Sequence, residues 1–380
     1  MQMKNKVKSE KGIMTMYVTI AVVTFTIILV ALFSLAVATR RNQIKTLIKI
    51  KEVYEQDNNK KEQIYMEQKE KIELPSTSDT TPYYPDDTFR RDSSTDLDTG
   101  LVIKDKNKNE YVWIEVPRSL YANSSYNTKT TTADQKPTSS TDYDKIEYCL
   151  HKYTDYYRNG TKYTDTYYSN TNTGLTSEQY YELKQKMLKS VFENGGFWIG
   201  RYEAGVEKAR TGITYATTPI SRAGTVKSPV YPYYYVKSSG AQEAASKLST
   251  ENYTGSLMFG VQWDLVMKHI EVKELEKGTK LATIQSTLRS NSISFGNYYG
   301  SGFVINRGRY AKFNAETTWY NYNVASTNCV IYTNGISRKI ASSSLSNAIV
   351  LTTGASDACR KMNIYDLAGN VAEWTLEYNR

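Results

Sequence analysis

The amino-acid sequence predicts an α+β fold that stands behind an N-terminal transmembrane helix. Two observations carry this prediction: a long uncharged segment lies near the N-terminus, and short strand-like runs then alternate with a few helical patterns. The 380 residues contain 40% hydrophobic side chains, enough for one large domain or two small ones. With only 8 prolines and 21 glycines, collagen-like and proline-rich chains are excluded.

The charged, histidine and cysteine residues exclude several classes of function. The formal net charge is +9, and residues 1–75 hold 13 Lys and Arg against 8 Asp and Glu. More than half of the net positive charge therefore lies near the N-terminus, and the rest of the chain is not basic enough to indicate nucleic-acid binding. The two histidines, His151 and His269, cannot build a three-histidine metal site, and each is interpreted as a surface or partly buried polar residue. Three cysteines without a C-x-x-C pair exclude zinc ribbons and thioredoxin-type motifs.

The first element is the uncharged segment, which follows a basic leader at residues 1–12. Residues 13–38 contain 26 consecutive residues without a charge. As a helix they extend about 39 Å, longer than the roughly 30 Å hydrocarbon core of a membrane. A cleaved secretory signal is the alternative, because Ala36-Val37-Ala38 has the A-x-A form, but the apolar region is about twice the usual length for one. We therefore expect residues 13–38 to anchor the protein in a membrane.

The helical pattern continues past the membrane as an amphipathic stalk at residues 39–74, because no glycine or proline interrupts it before Pro75. This half resembles type IV pilin-like proteins, with a basic leader ending in Lys11-Gly12 and an apolar helix behind it. In that family a peptidase cuts after the glycine and a glutamate usually stands fifth in the mature chain, where this sequence has Tyr17. The resemblance implies a pilus-like assembly, and a plain signal anchor remains the alternative.

The next segments are a linker and the start of a domain. Residues 75–99 are polar and carry three prolines without periodicity, which predicts a disordered linker. A domain of residues 100–380 then opens with a hairpin from residues 101–103 and 111–116. Residues 120–175 are rich in Ser, Thr, Asn and Tyr and are interpreted as an irregular insertion outside the core.

The remaining helices and strands follow from local signals. A helix is predicted at residues 176–193, with Thr176 as N-cap, Gln179 completing a capping box and Gly195-Gly196 as the stop. The other predicted elements are helices near residues 240–248 and 258–272 and strands at residues 197–203, 302–306 and 347–352.

A motif near the C-terminus carries a family resemblance. Residues 363–375 (NIYDLAGNVAEWT) and residues 196–203 (GFWIGRYE) together resemble the formylglycine-generating enzyme, or sulfatase-modifying factor, family. The sequences VQWD at residues 261–264 and SFGNY at residues 294–298 fit landmarks of the same family. The resemblance covers residues 100–380 and implies a C-type-lectin-like architecture with little regular structure, in agreement with the α+β prediction.

The motif also suggests a cation site. Asp366 and Glu373 lie seven residues apart around Gly369-Asn370, a dipeptide that favours a tight turn. Such a turn can gather oxygen ligands around one hard cation. The family resemblance implies a structural calcium ion held by Asp366 and Glu373 and by backbone oxygens of Gly369 and Val371; the alternative is that the carboxylates only cap the turn. The tryptophans of these segments are expected to pack in the core: Trp263 and Trp374.

No catalytic residue is assigned. The oxidase branch of the family works through a copper-binding cysteine pair well after the GNVxEW segment, but this chain ends six residues after Trp374, and all three cysteines precede that point. We therefore expect the family domain to be incomplete at its C-terminus. The iron site of the ergothioneine-synthase branch needs three histidines, and the chain has two. Neither a copper nor an iron site is identifiable.

Two hypotheses of function follow from these resemblances. The first is a membrane- or pilus-anchored surface protein that presents a non-catalytic, lectin-like domain to a glycan or protein ligand. The second is a formylglycine-generating oxidase whose catalytic C-terminal region is missing from the chain. Because lectin-like and pilin-like modules act outside the cell, the domain is expected to be extracellular, on a bacterial surface.

Overall fold

A computed structural model divides the chain into two compact units, Met1–Lys69 and Glu70–Arg380. Both helices and strands are present, so the predicted mixture of the two is confirmed. The structure describes residues 2–68, 72–127, 142–158, 165–213, 217–290, 292–298, 301–313, 315–325, 329–332, 335–338 and 348–377.

The first unit is a single helix, α1 (Gln2–Gln68). Neither glycine nor proline occurs after residue 12 of this helix, which explains why it is not interrupted. The hydroxyls of Thr19, Thr24 and Thr26 each donate to the carbonyl four residues earlier at 2.8–2.9 Å, so these polar groups of the apolar segment are paired internally. By length and composition Ile13–Asn58 can cross a membrane, and a signal sequence has the same features.

The second unit opens with an antiparallel sheet of four strands. Its strands lie in chain order: β1 (Arg90–Arg91), β2 (Val102–Lys104), β3 (Glu110–Glu115) and β4 (Gly196–Gly200). The predicted hairpin is confirmed as β2 and β3, and the predicted strand at residues 197–203 as β4. In the β3–β4 pair Trp113 lies opposite Trp198, and their ring centroids are 5.0 Å apart.

Residues 75–99 are ordered against this sheet, so the prediction of a disordered linker is wrong. Thr80 is buried; its hydroxyl accepts from Trp113 Nε1 at 2.7 Å and donates to the Gly195 carbonyl at 2.8 Å. These partners are distant in the sequence, and a search for local periodicity cannot detect them. The second unit accordingly begins at Glu70, ahead of the predicted linker rather than behind it.

The predicted insertion at residues 120–175 contributes to the core, which corrects its interpretation as an irregular segment outside it. Its described residues include the α-helices α2 (Ser124–Asn127), α3 (Asp142–Tyr153) and α4 (Asn170–Thr173). On α3, Ile146, Cys149 and Leu150 are buried in the core cluster beside the four-stranded sheet. Aliphatic residues are few in this range, and two tyrosines, Tyr148 and Tyr157, are also buried.

The helix predicted at residues 176–193 is confirmed as α5 (Ser177–Asn194). The Thr176 hydroxyl accepts from the Gln179 N–H at 3.2 Å, and the Gln179 side chain accepts from the Thr176 N–H at 2.9 Å. The helix ends at Gly195, whose φ of 65° lies in the left-handed region. Met187 and Val191 of α5 pack in the same core cluster as α3.

Three further helices follow α5: α6 (Ser238–Ser246), α7 (Gly260–Glu276) and α8 (Leu281–Arg289). The first two confirm the helices predicted near residues 240–248 and 258–272, whereas α8 was not predicted. On α7, Val261, Leu265 and Ile270 are buried in the core cluster. The helix therefore joins the sheet and α5 in one hydrophobic core.

The strands after β4 form small antiparallel sheets. Strands β5 (Gly205–Val206) and β6 (Tyr231–Pro232) pair, as do β13 (Arg360–Lys361) and β14 (Ile364–Tyr365). Two three-stranded sheets comprise β7 (Val304–Ile305), β8 (Arg309–Lys312), β9 (Trp319–Asn321), β10 (Cys329–Tyr332), β11 (Gly335–Arg338) and β12 (Ile349–Leu351), in the orders β10–β11–β7 and β12–β8–β9. The strands predicted at residues 302–306 and 347–352 are confirmed as β7 and β12. The C-type-lectin-like fold stays a prediction.

Candidate functional site

A tight turn at Gly369-Asn370 organises the candidate site. Both residues have left-handed backbone angles, with φ of 77° and 62°. A Cβ on Gly369 would lie 2.4 Å from the Asn297 carbonyl oxygen, so only glycine fits there. The Asn370 N–H donates to the same carbonyl at 2.9 Å. The sequence landmarks at residues 294–298 and 363–375 are therefore in direct contact.

The side chain of Asn370 connects this turn to two more segments. Its Oδ1 accepts from the Leu351 N–H and from Asn297 Nδ2, both at 2.8 Å. Its Nδ2 donates to Glu203 Oε2 at 2.7 Å. Glu203 is a site residue that sequence reasoning did not single out; its position at the end of the landmark segment 196–203 is the signal that could have identified it.

Three carboxylates lie around the turn and repel one another. Asp366 is buried; its Oδ2 accepts from the Gly354 N–H at 2.7 Å, whereas its Oδ1 has no hydrogen-bond partner within the described part of the chain. Burial raises the pKa of Asp366 to about 7, although Arg307 opposes the shift. Burial also raises the pKa of Glu203, and the charges of Asp366 and Glu373 add to the effect. Burial and repulsion thus favour the protonated form of these carboxyl groups, and a bound cation would favour the charged form.

Glu373 differs from the other two carboxylates because the residue keeps exposed surface. Protein nevertheless surrounds its carboxyl group closely enough that desolvation, followed by repulsion from Asp366, raises its pKa. Glu373 is the member of the cluster that an external ligand can reach.

Two of the predicted calcium ligands, Asp366 and Glu373, lie close enough to interact electrostatically, and the other two are Gly369 and Val371. Repulsion between the two carboxylates and the unpaired Asp366 Oδ1 fit a bound cation. However, the group of three metal-ligating side chains found within 4.8 Å of one another among the described residues is not at this turn. It consists of Glu147, His151 and Asp165. Calcium binding at this turn therefore stays a prediction.

A cavity of about 620 Å³ opens beside the turn. Its wall combines aromatic rings with carboxylate and amide groups. The residues that line it are Gly260, Trp263, Asp264, Asn297, Tyr298, Phe313, Ala348, Ile349, Leu367, Gly369, Asn370, Val371, Ala372, Glu373, Thr375 and Glu377. Neither a cysteine nor a histidine is among these described lining residues. The predicted landmarks at residues 261–264, 294–298 and 363–375 all contribute to this wall.

The two tryptophans near the cavity are not core residues, which corrects their prediction. Trp263 is only partly buried and lines the cavity. Trp374 is 50% exposed, and its Nε1 donates to the Val236 carbonyl at 3.1 Å. The side chain of Trp374 therefore lies at the surface. Its apolar character alone did not predict this position, because large apolar residues also occur at protein surfaces.

A network of buried charges lies around Arg158, which joins three carboxylates. Its guanidinium donates to Asp165 at 2.8 Å, to Asp264 at 3.2 Å and to Glu377. Burial raises the pKa of Asp264 to about 7, with Arg158 opposing the shift. Burial also raises the pKa of Glu377. Since Asp264 and Glu377 line the cavity, Arg158 fixes part of the cavity wall.

Both histidines are buried, which corrects their interpretation as surface or partly buried residues. His151 on α3 is 1% exposed and His269 on α7 is 4% exposed. The Nδ1 of His269 accepts from the Glu115 N–H at 3.3 Å. Burial lowers the pKa of His269 to about 3, and Lys273 and Lys277 lower it further. His269 is therefore a neutral core residue.

Comparison of the chain with known protein families, curated proteins and solved structures finds no match. The resemblance to the formylglycine-generating enzyme family thus depends on the landmark segments alone. These segments do converge at the Gly369-Asn370 turn, but their convergence defines a site rather than a family.

Proposed function

We propose that this chain is a membrane-anchored surface protein whose Glu70–Arg380 unit binds a saccharide in the cavity beside Asn370. The observation that carries the proposal is the composition of the cavity wall. Rings of Trp263, Tyr298 and Phe313 stand among the carboxylate and amide groups of the same wall.

This wall suits a polyhydroxylated ligand. A sugar ring presents apolar C–H faces, which pack on aromatic rings such as Trp263, and hydroxyl groups at its edge. Carboxylates such as Glu373 accept hydrogen bonds from these hydroxyls, and amides such as Asn297 both donate and accept. The volume of about 620 Å³ lies within the range of roughly 300–1,000 Å³ that is common for ligand sites.

The calcium ion that the family resemblance implies belongs to the same proposal. Asp366 and Glu373, with the carbonyl oxygens of Gly369 and Val371, would hold a hard cation and stiffen the cavity wall. The raised pKa of Glu373, to which Asp366 contributes, supports this proposal because a cation would relieve that repulsion.

Anchoring through residues 13–38 is supported by the apolar, uninterrupted helix α1. We further propose that the Glu70–Arg380 unit lies outside a bacterial cell. If Gly12 is processed as in pilin-like proteins, the helix would pack in a pilus-like assembly. Recovery of the full-length chain in the soluble cytosolic fraction would contradict both forms of anchoring.

The binding proposal is favoured over the alternative of a cysteine-dependent oxidase. Cys149, Cys329 and Cys359 are all buried, and the described lining of the cavity contains none of them. A binding wall needs no such reactive group. Conversion of a bound saccharide into a product, or oxidation of a peptide substrate, would favour enzymatic activity instead.

The test is binding of the full-length protein, in detergent micelles, to an array of immobilised mono- and oligosaccharides. We expect selective binding that falls at least tenfold in Trp263→Ala, because a central aromatic contact contributes more than about 1.4 kcal/mol. The control is Trp374→Ala, an exposed tryptophan outside the cavity lining, which should bind as the wild type does. Absence of saccharide binding, or equal losses in both variants, would contradict the proposal.

A further inference from the structure

A second cluster of metal-ligating side chains lies in the interior of the Glu70–Arg380 unit. Helix α3 places Glu147 and His151 four residues apart on one face, and Asp165 reaches them from outside that helix. One ligand atom from each of the three lies within 4.8 Å of the other two. All three residues are at most 2% exposed. The cluster is thus an interior feature rather than an acidic surface patch.

The imidazole of His151 points to a missing ligand. Neither Nδ1 nor Nε2 has a hydrogen-bond partner within the described residues, although the side chain is fully buried. Its Nε2 lies 3.6 Å from Glu147 Oε1, so the ring faces the cluster. Buried polar groups are nearly always paired, and an unpaired one keeps the whole cost of its desolvation. A cation among these three residues would supply the absent partner.

The surrounding charges leave room for two positive charges. Within the described residues, four buried or partly buried carboxylates, Glu147, Asp165, Asp264 and Glu377, form ion pairs with two cations. These cations are Arg158 and Lys184. One divalent ion would neutralise the difference.

The other contacts of the three side chains form an outer shell that would orient them. Lys184 Nζ lies 3.0 Å from Glu147 Oε2, and Arg158 donates to Asp165 Oδ1 at 2.8 Å. The Val261 N–H, in the first turn of α7, donates to Asp165 Oδ2 at 3.2 Å. Such outer contacts are characteristic of metal sites, where they fix the ligand geometry.

We propose that Glu147, His151 and Asp165 bind one structural divalent ion of the Zn²⁺ class, which ties α3 to the segment that carries Asp165. One imidazole nitrogen with two carboxylate oxygens suits zinc, whereas calcium and magnesium prefer oxygen alone. Zinc bonds of about 2.0–2.2 Å require the three ligand atoms to close inward, a movement of side-chain size. This site is independent of the proposed cavity function.

The first test measures zinc in the wild type. Full-length protein without a histidine tag is stripped with chelator, reloaded with Zn²⁺ in detergent micelles, dialysed and analysed by elemental mass spectrometry. We expect one zinc per chain and a raised melting temperature. A reloaded wild type with no zinc above the buffer level would overturn the proposal without any variant.

The second test locates the ion with a pair of matched variants. His151→Gln should lose the zinc, whereas His269→Gln should keep it, because the chain contains only these two histidines. Co²⁺ loading gives an independent readout. The visible spectrum of a low-symmetry cobalt site should be lost in His151→Gln and kept in His269→Gln. Full zinc occupancy in His151→Gln, or loss of zinc only in His269→Gln, would place the ion elsewhere and overturn the proposal.

Discussion

Two carboxylate clusters in the Glu70–Arg380 unit balance their charge in different ways. In the first, Arg158 forms ion pairs with Asp165, Asp264 and Glu377. In the second, around Asn370, the three carboxylates form no ion pair within the described part of the chain. Burial raises the pKa of Asp366, and Arg307 offsets only part of that rise. The first cluster therefore has counter-charges of its own, whereas the carboxyl groups of the second favour their protonated form unless a cation binds.

Removing Arg158 should produce the largest effect. Arg158→Met leaves Asp165, Asp264 and Glu377 without their cation in a buried site, so we expect a loss of about 3–5 kcal/mol in the free energy of unfolding. Denaturant titration of the full-length protein in micelles measures it. Arg222→Met is the control, because its pair with the exposed Glu207 should contribute less than about 1 kcal/mol. Similar losses in both variants would show that burial of the first cluster does not matter.

Calcium should act on the second cluster alone. If the turn binds Ca²⁺, a hundredfold excess over its dissociation constant stabilises the fold by about 2.7 kcal/mol. Thermal melting with chelator and with Ca²⁺ measures this. Glu373→Gln and Asp366→Asn should each weaken the response, whereas Glu207→Gln at an exposed position should leave it unchanged. Identical melting of the wild type in both buffers would mean that the carboxylates only cap the turn.

The pH dependence of stability should report on the buried His269, which belongs to neither cluster. The pKa of His269 is lowered to about 3, so between about pH 6.5 and 3 the unfolded chain binds a proton that the folded chain does not. This contribution to stability is present above about pH 6.5 and decreases by about 1.4 kcal/mol per pH unit as the pH falls. His269→Gln should remove that slope. Denaturant titrations from pH 6.5 to 4.5 give the difference, and parallel curves for the two proteins would contradict the assignment.

The smallest effect concerns α5, the helix whose Lys184 side chain donates to the Asp165 carbonyl at 2.8 Å. Thr176→Ala removes the side-chain acceptor for the Gln179 N–H at the start of α5 and should cost about 1 kcal/mol. Thr176→Ser keeps the hydroxyl and should cost much less. Denaturant midpoints of both variants measure the cap, and an equal cost for the two would exclude the hydroxyl as its source.

Features that depend on neighbouring residues could be predicted from the sequence, whereas features that depend on distant contacts could not. Local signals were sufficient for α5, where Thr176 and Gly195 mark its ends, and for the left-handed turn at Gly369-Asn370. Ordering of residues 75–99 was missed because it depends on Thr80 contacting distant residues.

The interior cluster was missed for the same physical reason. Glu147 and His151 lie in a range whose polar composition suggested an irregular insertion, and Asp165 joins them only through tertiary packing. Likewise, Glu203 reaches Asn370 across 167 residues of chain. Spacing within a motif reveals a turn, but it does not reveal which distant carboxylates share its charge.

The most direct test of the proposed saccharide site is the fluorescence of Trp263 during titration with a saccharide selected from the array. The account predicts a saturable change in tryptophan emission that disappears in Trp263→Phe and persists in Trp374→Phe. A change that persists in Trp263→Phe but disappears in Trp374→Phe would contradict the account, because the ligand would then bind outside the cavity.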